Sequence, residues 1–244
     1  MIIYFYCPGQ QNIALQKAIG ELNQSLKEAS ENNQKTLLLL SGGSSLALLS
    51  GIDIDNLNQN ITISPLDERY SKDPKENNMT QITETDFYKN ATLKKCTFID
   101  TKVKEGETQE ELSLRFDNEL KNWLSSNPQG LIITTMGIGS DGHISGIMPY
   151  PESPEKFKTM FDNQDNSSFV IAYDAKEKNP YPKRVTTTMN FLRKIQTAIV
   201  YIVGESKLKA LGDLKSEKGD LATTPARILK ELDGNISVFT DLKQ

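Results

Sequence analysis

Two cysteines and a single histidine are all that this 244-residue chain has of the residue types that most often ligate metals or shuttle protons. Cys7 and Cys96 stand far apart and in no metal-ligand spacing, which suggests free thiols in a reducing compartment rather than a disulfide. Neither has a catalytic context, so both read as small hydrophobes. A basic excess is also missing. The 28 lysines and arginines face 32 acidic residues, a net charge of −4. Nucleic-acid affinity rests largely on phosphate neutralisation, so no nucleic-acid partner is expected, and any phosphate must be held locally by a few basic groups. Long hydrophobic runs are absent too: Thr36–Leu40 and Ala198–Val203 are far too short to cross a bilayer, and no membrane partner is expected. The opening Ile2-Ile3-Tyr4-Phe5-Tyr6 has no basic segment before it and no small-residue cleavage site after it. It reads as a strand, and the expected location is the cytoplasm.

What is present is an ordinary folding composition, 37% hydrophobic and 25% charged. Short β-branched runs alternate with longer amphipathic stretches, which predicts βαβ units on one mainly parallel sheet, an α/β doubly wound fold flanked by helices. Expected strands are Ile2–Tyr6, Thr36–Leu40, Ile61–Ile63, Thr97–Ile99, Leu131–Met136, Ala198–Val203 and Ile236–Phe239. Phe169–Tyr173 and Arg184–Thr188 alternate as more exposed strands do. Expected helices are Gln11–Ala29, with Ile13, Leu15, Ala18, Ile19, Leu22 and Leu26 near helical spacing, a short Ser44–Leu49, Glu107–Leu124, Glu205–Leu214 and Thr224–Leu232. Thr224 reads as an N-cap with Pro225 at the first helical position. Asp67 to Asn78 reads as a polar loop, and Pro149 to Ser168 as surface loops and short helices. Without repeats, low-complexity tails or a linker, residues 1–244 read as a single domain.

Three loops that follow expected strands could carry chemistry. Ser41-Gly42-Gly43-Ser44-Ser45 leads into a helix, where glycines permit close backbone approach and unpaired N–H groups face an anion. A phosphate cradle, with the Ser44 and Ser45 hydroxyls added, and an ordinary strand-to-helix turn are equally good readings of it. The lysine of a nucleotide P-loop is missing. Asp67-Glu68-Arg69 lies at a strand end, where the guanidinium could grip phosphate or carboxylate, but three charges there also suit a solvated loop. Gly137, Gly139 and Gly142 satisfy G-x-G-x-x-G, yet Gly146 and Pro149 follow where a dinucleotide site needs a long helix. His143 ends that loop. An imidazole ordinarily titrates at about 6.5, which suits proton transfer near neutral pH, and Asp141 two residues earlier could orient it. A lone histidine can equally be a satisfied structural residue. Weaker candidates are Arg184, in Pro180-Tyr181-Pro182-Lys183-Arg184-Val185-Thr186, and Lys207, expected in the first turn of a helix after Gly204.

Taken in order, Leu40–Ser44, Asp67–Arg69, Gly137–His143, Lys183–Thr186, Val203–Lys207 and Pro225-Ala226-Arg227 resemble the 6-phosphogluconolactonases. These share a wider fold group with glucosamine-6-phosphate deaminases and ribose-5-phosphate isomerases. The resemblance spans nearly the whole chain. It departs at Ile144-Ser145-Gly146, where the lactonase pattern usually has threonine, alanine and serine. It departs also at Asn77-Asn78, which stands one residue early for the usual Ser-Asn pair, and at Met148-Pro149 in place of Phe-Pro. Ile144 is closer to the deaminase loop, but the deaminases' Asn-Glu-Pro is absent.

The resemblance implies metal-free hydrolysis of a phosphorylated sugar lactone, with no cofactor. His143 would be the general base, oriented by Asp141, and Gly42, Gly43, Ser44, Asp67, Arg69, Gly139, Arg184 and Lys207 would bind substrate and phosphate. A zinc water-activator would have to rely on carboxylates, an unsuitable ligand set. The alternatives are a sugar-phosphate deaminase or isomerase on the same fold, and a non-catalytic sugar-phosphate sensor. Either a monomer or a small homo-oligomer fits the sequence.

Overall fold

Four successive leucines can all be buried only where a strand is covered on both faces, and in the computed structural model Leu37–Leu40 are so covered. The structure describes every residue except Lys72, Asn166 and Gln244. Leu37 and Leu39 enter one apolar cluster with Phe116, Leu120 and Met136. Leu38 and Leu40 enter a second, on the opposite face, with Leu22, Leu26 and Ile63. A pleated strand sends successive side chains to opposite faces, so one leucine run serves two cores.

In chain order the elements are β1 (Ile2–Phe5), α1 (Gln11–Glu31), β2 (Thr36–Leu40), β3 (Ile61–Pro65), β4 (Asp67–Arg69), α2 (Asn78–Thr83), α3 (Asp86–Leu93), β5 (Thr97–Phe98) and α4 (Gln109–Ser126). Then follow β6 (Leu131–Met136), α5 (Pro154–Phe161), β7 (Val170–Asp174), β8 (Lys183–Thr187), α6 (Met189–Leu192), β9 (Thr197–Ile202), α7 (Leu208–Lys215) and β10 (Asn235–Thr240). Seven strands form a parallel sheet in the order β1-β10-β9-β6-β2-β3-β5. From β2 the chain winds outward through β3 and β5, then returns to β6 on the other side of β2. The crevice beyond the C-terminal ends of β2 and β6 is therefore a switch point, where open α/β sheets hold ligands.

The expected α/β architecture is present, but not all strands join the one sheet. β4, β8 and β7 form a second, antiparallel sheet of three strands. Asp67–Arg69, expected in a polar loop, is thus a strand. Its pairing partner lies more than a hundred residues away, and three charged residues carry no alternation that would betray it. The rest of that expected loop includes Lys72, outside the described residues. Nor is Arg184–Thr187 exposed: α4 covers this sheet, and the threonine hydroxyls are satisfied internally, Thr186 Oγ1 donating to the Ser145 carbonyl. The short helices α2, α3 and α6 have too few turns to announce a period. Within Pro149–Ser168, which contains the undescribed Asn166, α5 buries Phe157 and Phe161 rather than merely lying on the surface.

Helix α4 begins with a capping box, the Thr108 hydroxyl accepting from the Glu111 N–H while the Glu111 carboxylate accepts from the Thr108 N–H. Other boundaries shift. The expected Ser44–Leu49 helix is a 3-10 helix over Gly43–Gly51, and the one from Thr224 is a 3-10 helix over Pro225–Lys230 with no cap bond from the Thr224 side chain. Cys7 is exposed and Cys96 buried, both free. Ile13, at 45% exposure, points away from the face α1 buries. Among the described residues no helix is long and apolar enough to cross a membrane. Phe116 is fully buried on the inner face of α4. Phe116→Ala should cost about 3–5 kcal/mol of stability, read as a lower urea midpoint with an unchanged slope.

Candidate active site

The loops after β2 and β6 meet at the switch point, and the small sheet closes the side of the cleft between them. Ser41, Gly42, Gly43 and Ser44 line one wall, Gly137, Ile138, Gly139 and His143 another, and Asp67, Arg69, Asn78, Ser145, Gly146 and Arg184 the third; Lys207 completes the cleft. Of the residues singled out in the sequence, all those assigned to substrate or catalysis face this space except Asp141. That residue stands behind His143 and touches it.

The β6 loop folds tightly on itself. The Gly139 N–H donates to the His143 carbonyl at 2.9 Å, and the Gly142 N–H to the Gly139 carbonyl at 3.0 Å. Asp141 Oδ1 accepts from the His143 backbone N–H at 3.1 Å and lies 2.6 Å from ring Nδ1. A carboxylate can only accept, so Nδ1 carries the proton and the neutral ring has its lone pair on Nε2. A Cβ on Gly139 would stand 2.0 Å from Nδ1 and 2.5 Å from Asp141 Oδ1, so only glycine leaves room for the pair. Burial alone would raise the Asp141 carboxyl; the His143 hydrogen bond and charge outweigh it and hold the carboxyl below its ordinary value.

The small sheet carries the arginines. Arg184 and Asp67, both buried, form an ion pair through Nη2 and Oδ2, and Arg184 Nε has no partner among the described residues. Arg69 lies with its guanidinium over the Tyr181 ring at 4.4 Å, and among the described residues it makes no ion pair and its buried Nε has no partner. Guanidinium N–H groups withdrawn from water without acceptors are a standing demand for an anion. Lys207 likewise has no ion-pair partner among the described residues. Burial lowers its ammonium below the usual lysine value, against the pull of Asp141. It sits in a 3-10 turn, Glu205–Lys207, just before α7 rather than in the helix itself.

The β2 loop differs from expectation in one hydroxyl. Ser45 Oγ donates to the carbonyls of Ser41 and Gly42, at 3.0 and 2.9 Å, and is fully buried, so it cannot face a ligand. Ser44 remains exposed on the cleft wall. The Ile144-Ser145-Gly146 departure also has a structural account. Ile144 is core, and Ser145 Oγ bonds Thr187 Oγ1 at 2.7 Å, tying the loop to the small sheet. Gly146, at φ +70°, passes under the Asp67–Arg184 pair, where a Cβ would come within 2.6 Å of Asp67 Oδ2.

Sequence reasoning missed the roles of Asn78, Gly146 and Tyr181. Asn78 could be placed only by recognising α2, whose first residue it is. Among the described residues no group of three or more histidine, cysteine, aspartate or glutamate side chains could hold a metal ion.

Residues 10–238 match the family model described as glucosamine-6-phosphate isomerases/6-phosphogluconolactonase. A curated relative from Dictyostelium discoideum, named a probable 6-phosphogluconolactonase, is 28% identical over 124 residues. That match takes in 51% of this chain and 48% of the relative, so the chain spans about half the length of the curated relative it matches. Two solved 6-phosphogluconolactonase structures share the fold. The Shewanella baltica protein superposes with a TM-score of 0.76 at 19% identity, covering 98% of this chain and 97% of that one. The Plasmodium vivax protein gives 0.74 at 16%, covering 98% and 90%.

Because His143 is the chain's only histidine, its ring nitrogens can be observed without assignment ambiguity. Long-range 1H–15N spectra of the neutral ring should show the proton on Nδ1, and Asp141→Asn or Gly139→Ala should abolish that preference. A wild-type ring protonated on Nε2 would contradict the arrangement.

Proposed function

The chain belongs to the glucosamine-6-phosphate isomerase/6-phosphogluconolactonase family, and from that premise we propose that it hydrolyses 6-phospho-D-glucono-1,5-lactone to 6-phosphogluconate, a step of the pentose phosphate pathway. The observation that carries this reading is the 2.6 Å contact of His143 Nδ1 with Asp141 at a cleft that also holds two cations, Arg69 and Lys207, without ion-pair partners among the described residues. A base that must act on water near neutral pH, and charges that await an anion, stand in one space.

The steps follow from that geometry. Asp141 fixes the Nδ1–H tautomer, so Nε2 removes a proton from water as its oxygen attacks the lactone carbonyl carbon. The carbonyl oxygen becomes an oxyanion, stabilised by backbone N–H groups of the glycine loops and a basic side chain. Asp141 stabilises the imidazolium, which returns its proton to the ring oxygen as the carbon–oxygen bond breaks. Water is consumed, the ring opens to the acid, and His143 is neutral again. At the other end Gly42, Gly43, Ser44, Arg69, Arg184 and Lys207 hold the phosphate, with Asp67 keeping Arg184 in place, and this distant grip fixes the lactone against the base. The scheme passes protons only between water, imidazole and substrate, and needs neither metal nor cofactor. It suits a cytoplasmic enzyme with both thiols free.

With lactone generated in situ and spontaneous hydrolysis subtracted, His143→Ala should lower kcat by about 10²- to 10⁴-fold. Binding of 6-phosphogluconate, measured by calorimetry, should remain within about threefold of wild type, a change of well under 1 kcal/mol. Undiminished turnover in the variant would sink the assignment, and release of ammonia from glucosamine 6-phosphate by the wild type would favour a deaminase instead.

A further inference from the structure

One fully buried carboxylate takes no part in the chemistry above. Glu68 is the middle residue of β4, so Asp67 and Arg69 face the cleft while its own side chain points the opposite way, into the protein. Among the described residues it has no cationic partner. Instead four donors converge on it. Oε1 accepts from the N–H groups of Arg69 at 2.7 Å and Asn78 at 2.5 Å. Oε2 accepts from the Met79 N–H at 3.0 Å and the Thr101 hydroxyl at 2.8 Å.

Two of those donors open α2. The first N–H groups of a helix have no partner within it, and the Asn77 side chain caps α2 by accepting from the Thr80 N–H, not from those of Asn78 and Met79. Glu68 takes up the Asn78 and Met79 N–H groups, and so fastens the helix start to the strand bearing Arg69. Asn78 carries the connection onward. Its Nδ2 donates to the Asp67 carbonyl at 2.9 Å, and its buried Oδ1, which has no hydrogen-bond partner among the described residues, leaves Gly42 no room for a Cβ, which would stand 2.5 Å away. A continuous chain of contacts thus runs from Glu68 through Asn78 to the glycine loop.

We propose that Glu68 is a positioning residue, whose buried carboxylate sets Arg69 and Asn78 against the Gly42–Ser44 loop and so fixes the geometry of the phosphate-holding wall. A packing residue would need only to fill the space; this one must accept at both oxygens, because all four partners are donors. Burial pushes its carboxyl up to about 7 against the pull of those donors, so its ionised form depends on keeping them. Glutamine is nearly isosteric but turns an NH₂ group toward two of the donors, leaving hydrogen bonds that cannot form.

The test uses Glu68→Gln and, as a second variant, Thr101→Val, which removes one donor at a buried residue outside the cleft. Thermal unfolding first establishes that each is folded at the assay temperature. In Glu68→Gln the Kd for 6-phosphogluconate and the KM for the lactone should both rise about tenfold, as the loss of roughly 1.4 kcal/mol implies, with kcat within about threefold. Thr101→Val should raise both by about threefold. Backbone amides of residues 41–44 should exchange faster in Glu68→Gln without ligand. A folded Glu68→Gln with wild-type Kd, KM and exchange at 41–44 overturns the proposal, as does a fall in kcat with KM unchanged. Should Glu68→Gln not fold, Thr101→Val decides by the same comparison. The choice of ligand rests on the functional reading above, but the exchange measurement does not. Absence of lactone turnover in the wild type would therefore remove that reading and leave the role of Glu68 to be judged by exchange.

Discussion

A charge taken out of water must be met by another, and the pairing of Arg184 with Asp67 is the point on which the cleft is built. The two are 5% and 4% exposed, so either alone would be a buried unpaired ion, costly by several kcal/mol. Together they cross-link adjacent strands of the small sheet, where Asp67 lies opposite Thr186 and Arg69 opposite Arg184. Gly146 passes directly beneath the pair, so the segment after His143 is shaped by this contact as well. Through it the small sheet, which adds only three strands to the architecture, sets the third wall of the site.

The cleft then divides its charges by availability. Arg184 is committed to Asp67, and His143 is committed through Nδ1 to Asp141. Arg69 and Lys207 are held differently, one by the face of Tyr181 and the other by partial burial, and neither has a carboxylate partner among the described residues. An aromatic ring can orient a guanidinium without neutralising it, which leaves its charge for a ligand. The proposed reaction would use both, the cations to grip a phosphate and the oriented imidazole to act on water.

How much of this the sequence revealed depended on the range of the interactions. The leucine run of β2 and the glycine loops after β2 and β6 are local signals, and the two loops supply eight residues of the cleft, Ser41 to Ser44, Gly137 to Gly139 and His143. Asp67-Glu68-Arg69 shows its charges in the sequence but not its strand character, which comes from pairing with residues 184–186. Ser45 looked as suitable as Ser44, and only the turn geometry shows that its hydroxyl is spent on the backbone. Tyr181 has no sequence pattern of its own, and Asn78 shows only as part of the early-standing Asn77-Asn78 pair, because each acquires its role from a residue distant in sequence. The triplet Ile144-Ser145-Gly146, an oddity in the family resemblance, becomes intelligible once its neighbours are seen: a core side chain, a hydroxyl tied to β8 and a left-handed glycine under an ion pair.

Between β3 of the large sheet and β4 of the small one the chain has a single connecting residue, Leu66. Its N–H donates to the Leu40 carbonyl at 2.8 Å and its own carbonyl accepts from Ser145 Oγ at 3.3 Å, so both ends of the link are tied down. There is no slack in which an added or deleted residue could be absorbed. Because side chains alternate across a strand, a change of length by one would trade faces, turning Glu68 toward solvent and driving Asp67 and Arg69 inward. Divergence along this lineage can therefore substitute side chains at the junction, or lengthen the exposed turn around Pro74, but the spacing from Pro65 to Asp67 is a ruler that cannot be redrawn.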